Sequence, residues 1–146
     1  MGRATLPSIA VLRLAGSAYA AMLGHAYDGL PDEACGLLVG RATTGQVVRF
    51  EPTENDARSS KLYTIPPVAH LKIERAAEAD GLEVIGVMHS HTHTDPYPSP
   101  TDVAQAEFAD PAWHFVIVSL RDDAPMLRSY LLADATIVEE QVAVDR

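Results

Sequence analysis

Apolar and polar positions along the chain follow two rhythms. Apolar residues run on continuously, or recur at every second position, in "IAVLRL" (9–14), "ACGLLVG" (34–40), "QVVRFEP" (46–52), "LEVIGVMHS" (82–90), "WHFVIVSL" (113–120), "PMLRSYLL" (125–132) and "ATIVEEQVAV" (135–144). Each stretch predicts a β-strand, and the turn residues of "RATTGQ" join the second to the third. Between them Ala, Met and Leu recur at helical spacing from Ser17 to Tyr27, ahead of Gly29. "PPVAHLKIERAAEAD" opens on prolines and stops before Gly81, the asymmetry expected of a helix, and a third helix is predicted over about 101–109. Strands interleaved with helices predict an α+β domain of three layers, in which a sheet is flanked by helices.

Composition narrows this further. The 146 residues are 47% hydrophobic and 21% charged, the balance of one ordinary globular domain, so residues 1–146 are expected to form a single unit. With 11 Lys plus Arg against 20 Asp plus Glu, the net charge of −9 would repel nucleic-acid phosphates and anionic membranes, and neither is expected as a partner. Cys35 is the only cysteine, which excludes an intrachain disulfide. The apolar opening contains an "AYA" like a signal cleavage site, but Arg13 interrupts it. The unbroken run Ile9 to Leu12 is too short for a signal core or a membrane span, so a cytoplasmic location is expected.

Chemistry concentrates in "HSHTHTDPYPSPTD", residues 89–102, where an apolar strand ends in polar residues. Side chains two apart on a strand face the same way, so His89 and His91 form a two-ligand site at the strand mouth. Imidazole suits zinc, and a catalytic zinc commonly takes three protein ligands and leaves a fourth position for water. Asp102, in the first turn of the next helix, is the candidate third ligand. "SPTD" also reads as a capping box, with Ser99 as N-cap, Pro100 at N1 and Asp102 at N3. The two readings are compatible, and paired histidines can equally be polar strand-end residues. Hydrolysis would further need a group to move a proton. His93, Asp95 and Glu107 are near in sequence, while Glu33, just before an apolar strand, can meet a site at the end of a neighbouring strand or stand as a surface carboxylate.

Taken together, Glu33, His89-Ser90-His91, seven residues, Ser99, two residues and Asp102 resemble the JAMM (MPN+) metalloprotease pattern at every position. The resemblance extends over roughly 20–140, and "PDEACGLLVG", "TENDARSSKLYTI", "HSHTHTDPYPSPTD" and "LRSYLL" look like the compact bacterial Mec branch. It implies a cytidine-deaminase-like JAMM/MPN fold with a mixed sheet. It implies one Zn²⁺ on His89, His91 and Asp102, Glu33 as general base, and Ser99 as a donor to the oxyanion. The implied partner is a ubiquitin-like sulfur carrier with a C-terminal Gly-Gly, from which cysteine is released. "NDARSSKLYTI" is a candidate for the substrate groove, with Arg58 as a carrier-binding charge or a solvated one, and Cys35 is expected to pack as a small buried residue. A lysine-specific JAMM isopeptidase, a DNA-repair-associated RadC protein, a non-catalytic MPN scaffold and a metal-storage protein are the competing readings, and a homodimer is among the assemblies the sequence allows.

Overall fold

The structure, a computed structural model, describes residues 11–146. The elements are β1 (Val11–Leu14), α1 (Gly16–Asp28), β2 (Cys35–Arg41), β3 (Gln46–Thr53), α2 (Pro67–Ala79), β4 (Glu83–His91), α3 (Pro100–Ala106), β5 (His114–Ser119), β6 (Met126–Leu131) and β7 (Val138–Val144). Ile9 and Ala10 of the expected first strand lie outside the described residues. The strands run in the order β1-β3-β2-β4-β5-β6-β7, and β1 also pairs with β7, so the sheet closes on itself. Pairing is parallel for β1 with β3, β1 with β7 and β4 with β5, and antiparallel elsewhere. The expected α+β architecture with a mixed sheet and flanking helices is therefore present. Its closure was not anticipated, because pairing between the first and last strands leaves no local mark.

Period-two alternation divides the apolar strand residues between two cores. Leu38, Met88, Val116 and Val118 face α1 and meet its buried residues Ala18, Met22 and Ala26. Their neighbours Leu37, Val87, Phe115 and Ile117 point the other way, where they pack with Tyr63, with Ala106 of α3 and with Ile73 of α2. Leu38, Met22 and Met88 are fully buried, and each such side chain contributes roughly 1.5–3 kcal/mol of burial free energy. Strands β4 and β5 approach closely at Gly86, where a Cβ would lie 2.2 Å from the His114 carbonyl oxygen, so only glycine fits there. On the other flank His25 of α1 donates through Nε2 to the Cys35 carbonyl at 2.9 Å and fastens the helix to the start of β2.

Two boundaries differ from the sequence expectation. α3 stops at Ala106 and continues only as turns to Ala109, since the chain must leave the helix before Pro111. The last strand starts at Val138 rather than near residue 135, because Ala133–Ala135 form a 3-10 turn in which Asp134 and Ala135 take φ of 55° and 58°. That left-handed backbone cannot continue a strand. Among the described residues no helix is long and apolar enough to cross a membrane.

Candidate metal centre

Three elements bring the donors together. β4 lies between β2 and β5, with His89 paired to Cys35 and Ile117, and His91 paired to Ser119. Both imidazoles project from its carboxyl end, and both are buried. The proline-rich loop then turns back into α3, whose capping box is complete. The Asp102 N–H donates to Ser99 Oγ at 3.0 Å, and the Ser99 N–H donates to Asp102 Oδ2 at 2.9 Å. Capping thus aims the acid, because the Oδ2 that accepts the Ser99 amide also faces both histidines.

His89 Nε2, His91 Nε2 and Asp102 Oδ2 lie 3.1, 3.2 and 3.1 Å from one another. Tetrahedral zinc with ligand bonds of about 2.0–2.1 Å separates neighbouring ligand atoms by about 3.3 Å, so the three donors are spaced as that ion requires. His91 donates from Nδ1 to the Asp95 carbonyl at 2.7 Å, which leaves the Nε2 lone pair directed into the site. Burial lowers the His89 pKa and favours the neutral, ligating form, against an opposing pull from Asp102. For Asp102 burial acts to raise the pKa, but the adjacent His89 and His91 rings outweigh it and hold the carboxylate well below the usual range. A buried site with two imidazole nitrogens and one carboxylate fits a single zinc ion, which with three protein ligands commonly keeps a fourth position for water.

Glu33 is brought to the same place by the chain before β2. The Ala34 N–H donates to Ser90 Oγ at 2.7 Å, the Ser90 N–H donates to the Ala34 carbonyl at 2.9 Å, and the Glu33 N–H donates to the Ser59 carbonyl at 2.8 Å. These bonds hold Glu33 beside the residue that separates the two histidines. Its carboxyl is buried, and burial pushes its pKa up to about 8, with Asp102 adding to the rise and His91 opposing it. Glu33, Ser60, Lys61, His91, His93 and Ser99 line a cleft of about 220 Å³. His93 stands exposed at this cleft, apart from the three convergent donors. Arg58 is exposed on the loop after β3, at φ 46°, outside the cleft lining.

The sequence singles out the stretch that carries Asn55 and Tyr63 as groove-forming but gives neither residue a role of its own. Tyr63 stacks on His89 with ring centroids 4.4 Å apart and planes 18° from parallel. Asn55 bonds to the Glu33 carbonyl and to the loop that carries Tyr63. Their separation from Glu33 and His89 gives no periodic signal, and only the turn-forming "ND" marks Asn55 as a loop organiser.

Residues 16–133 match the prokaryotic homologs of the JAB domain. The chain is 43% identical over 126 residues to the CysO-cysteine peptidase of Mycobacterium tuberculosis, covering 85% of this chain and 84% of that one. It is 34% identical over 113 residues to the desampylase of Haloferax volcanii, covering 74% and 80% respectively. A protein of Desulfitobacterium hafniense, solved in solution, superposes with a TM-score of 0.84 at 30% identity over 94% of both chains. The structure described as a JAMM metalloprotease-like zinc site in the proteasome and signalosome shares the fold, with a TM-score of 0.59 at 17% identity over 94% of this chain and all of that one. The chain belongs to the prokaryotic JAB-domain family.

Proposed function

We propose that the protein hydrolyses the amide bond after the C-terminal Gly-Gly of a small ubiquitin-like sulfur carrier, releasing cysteine in cysteine biosynthesis. The observation that carries the hydrolytic reading is the convergence of three zinc-type donors, 3.1–3.2 Å apart, beside a cleft lined by the buried Glu33. Similarity to a CysO-cysteine peptidase supports the substrate. In this reading residues 1–146 act as one cytoplasmic domain that meets its carrier directly.

His89, His91 and Asp102 would hold the metal. A bound zinc ion supplies Lewis acidity, lowering the pKa of its water to about 7 and polarising the scissile carbonyl. Glu33 takes the proton from the attacking water and returns it to the departing amine. Ser99 Oγ already accepts the Asp102 N–H, so its hydroxyl proton is available to donate to the oxyanion that develops on the carbonyl. Ser99→Ala is expected to retain zinc and turn over about 10²–10³-fold more slowly, the usual loss for one such donor. Equal turnover by mutant and wild type would remove Ser99 from this role.

The carrier tail lies extended beside the loop after β3, where backbone hydrogen bonds provide affinity and glycine alone fits near the metal. Arg58 on that loop meets the carrier; an unchanged KM in Arg58→Ala would retire this assignment. Intact-mass spectrometry of a carrier bearing a C-terminal cysteine tests the whole reading. Zinc-loaded enzyme is expected to remove one cysteine mass, and an unaltered carrier would mean a different amide substrate. Similarity to a desampylase supports a second reading, in which the leaving amine belongs to a lysine of a conjugated protein. Faster cleavage of a lysine-linked conjugate than of the cysteine adduct would select it.

A further inference from the structure

The two histidines at the metal centre are held in different ways. His91 has the orienting bond usual for a ligating imidazole, from Nδ1 to a backbone carbonyl. His89 does not, since its buried Nδ1 meets no acceptor among the described residues. A ligand whose ring could turn about χ2 would bind metal weakly, so something else must fix it. Tyr63 lies against it, 4.4 Å away and nearly parallel, while His91 meets its ring at 60°. Tyr63 is itself 9% exposed.

Tyr63 sits on the loop after β3, outside any helix or strand, so its own position needs a cause. Its carbonyl accepts from Gln105 Nε2 at 3.3 Å, on the helix that carries Asp102. The stronger anchor is Asn55. Its Nδ2 donates to the carbonyls of Glu33 and Leu62, both at 3.0 Å, and its Oδ1 accepts the N–H groups of Ala57 at 3.0 Å and Thr64 at 2.9 Å. Every donor and both acceptor positions of the amide are used. Two of those bonds grip the residues on either side of Tyr63, and a third grips Glu33.

We infer that Tyr63 and Asn55 are positioning residues: Tyr63 holds His89 in its metal-binding orientation by ring stacking, and Asn55 locks the Tyr63 loop to the backbone of Glu33. One side chain thereby registers the proton-transfer group against the metal ligands. The inference rests on the proposed roles of His89 and Glu33 but not on the identity of the carrier.

Chelator competition for zinc and the visible spectrum of the Co²⁺-substituted protein test it without turnover. Tyr63→Phe, which keeps the ring, is expected to bind zinc within about twofold of wild type. Tyr63→Leu is expected to bind about 10–100-fold more weakly, the loss typical of removing a group that orients a ligand, and to shift the Co²⁺ bands. Tyr63→Met is a second non-aromatic variant should Tyr63→Leu fail to fold. Asn55→Ala is expected to weaken zinc binding and to lower kcat with little change in KM. Because Asn55 acts on the metal through Tyr63, the Tyr63→Leu/Asn55→Ala pair is expected to bind zinc no more weakly than Tyr63→Leu alone. Wild-type affinity and an unshifted Co²⁺ spectrum in the non-aromatic variants, or strictly additive losses in the pair, would overturn the inference while leaving the metal centre intact. A wild-type protein that binds no zinc would instead sink the site itself.

Discussion

Glu33→Gln is expected to keep one zinc per chain and to lose turnover by about 10²–10⁴-fold, the usual contribution of a positioned acid-base group. The amide fills the same buried space and touches none of the three convergent donor atoms, but it cannot accept a proton from water. Two measurements together decide the matter, zinc content and release of cysteine from the carrier; a zinc-loaded variant that remains active would end the assignment. Burial pushes the Glu33 pKa up to about 8, so the metal-free protein holds this proton at pH 7. A dication beside the carboxyl favours its ionised form, and zinc binding at pH 7 should therefore expel the proton. Calorimetry in buffers of different ionisation heat is expected to show fewer protons released by Glu33→Gln than by wild type. The sign for stability follows from the same shift. A carboxyl with a raised folded-state pKa favours the metal-free fold below its ordinary range, near 4.5, and that contribution disappears as pH rises through about 8. In Glu33→Gln this pH dependence should be absent.

Asp102→Ala is expected to lose the metal and some of the stability of the fold. One oxygen, Oδ2, faces both imidazoles and accepts the Ser99 N–H, so truncation removes a ligand and half of a capping box together. Zinc should fall below measurable stoichiometry after gel filtration, and activity should vanish with it. Even the metal-free variant should be less stable than metal-free wild type, by about 1 kcal/mol for the lost cap interaction. Asp102→Asn separates the two roles, since an amide oxygen can still cap the helix but brings no negative charge. It should recover most of the metal-free stability and little of the zinc affinity. A zinc-replete Asp102→Ala protein would return Asp102 to helix capping alone.

How much was legible in the sequence depended on distance along the chain. His89 and His91 could be placed on one side of a strand because strand side chains alternate, and Ser99 and Asp102 could be placed at a helix start because a capping box spans only four residues. Glu33 was a different case. Its approach to β4 depends on β2 pairing antiparallel to β4 across more than fifty positions, a register that composition does not encode, so its place before an apolar strand made it a candidate and only the family resemblance chose it over a surface carboxylate. The segment that carries Asn55 and Tyr63 could be marked as groove-forming, but the roles of the two residues could not, as stacking and amide bridging across a loop follow no period. The closing pair β1 and β7 is the extreme of this, joining Val11 to Gln141. Within single elements the limit was backbone conformation: apolar spacing extended the last strand back to residue 135, where positive φ values forbid it.

Cys35 is fully buried beside Glu33, its Sγ 3.4 Å from Thr53 Oγ1, and burial raises its thiol pKa above the ordinary value. The product of the proposed reaction is free cysteine, and its oxidised form, cystine, would exchange with any accessible thiolate of the enzyme to give a mixed disulfide and release cysteine. Disulfide exchange needs a thiolate and a path to it, and here the protein supplies neither. The single sulfhydryl is therefore redox-silent, and the peptidase is expected to tolerate its own product without a reductant standing guard.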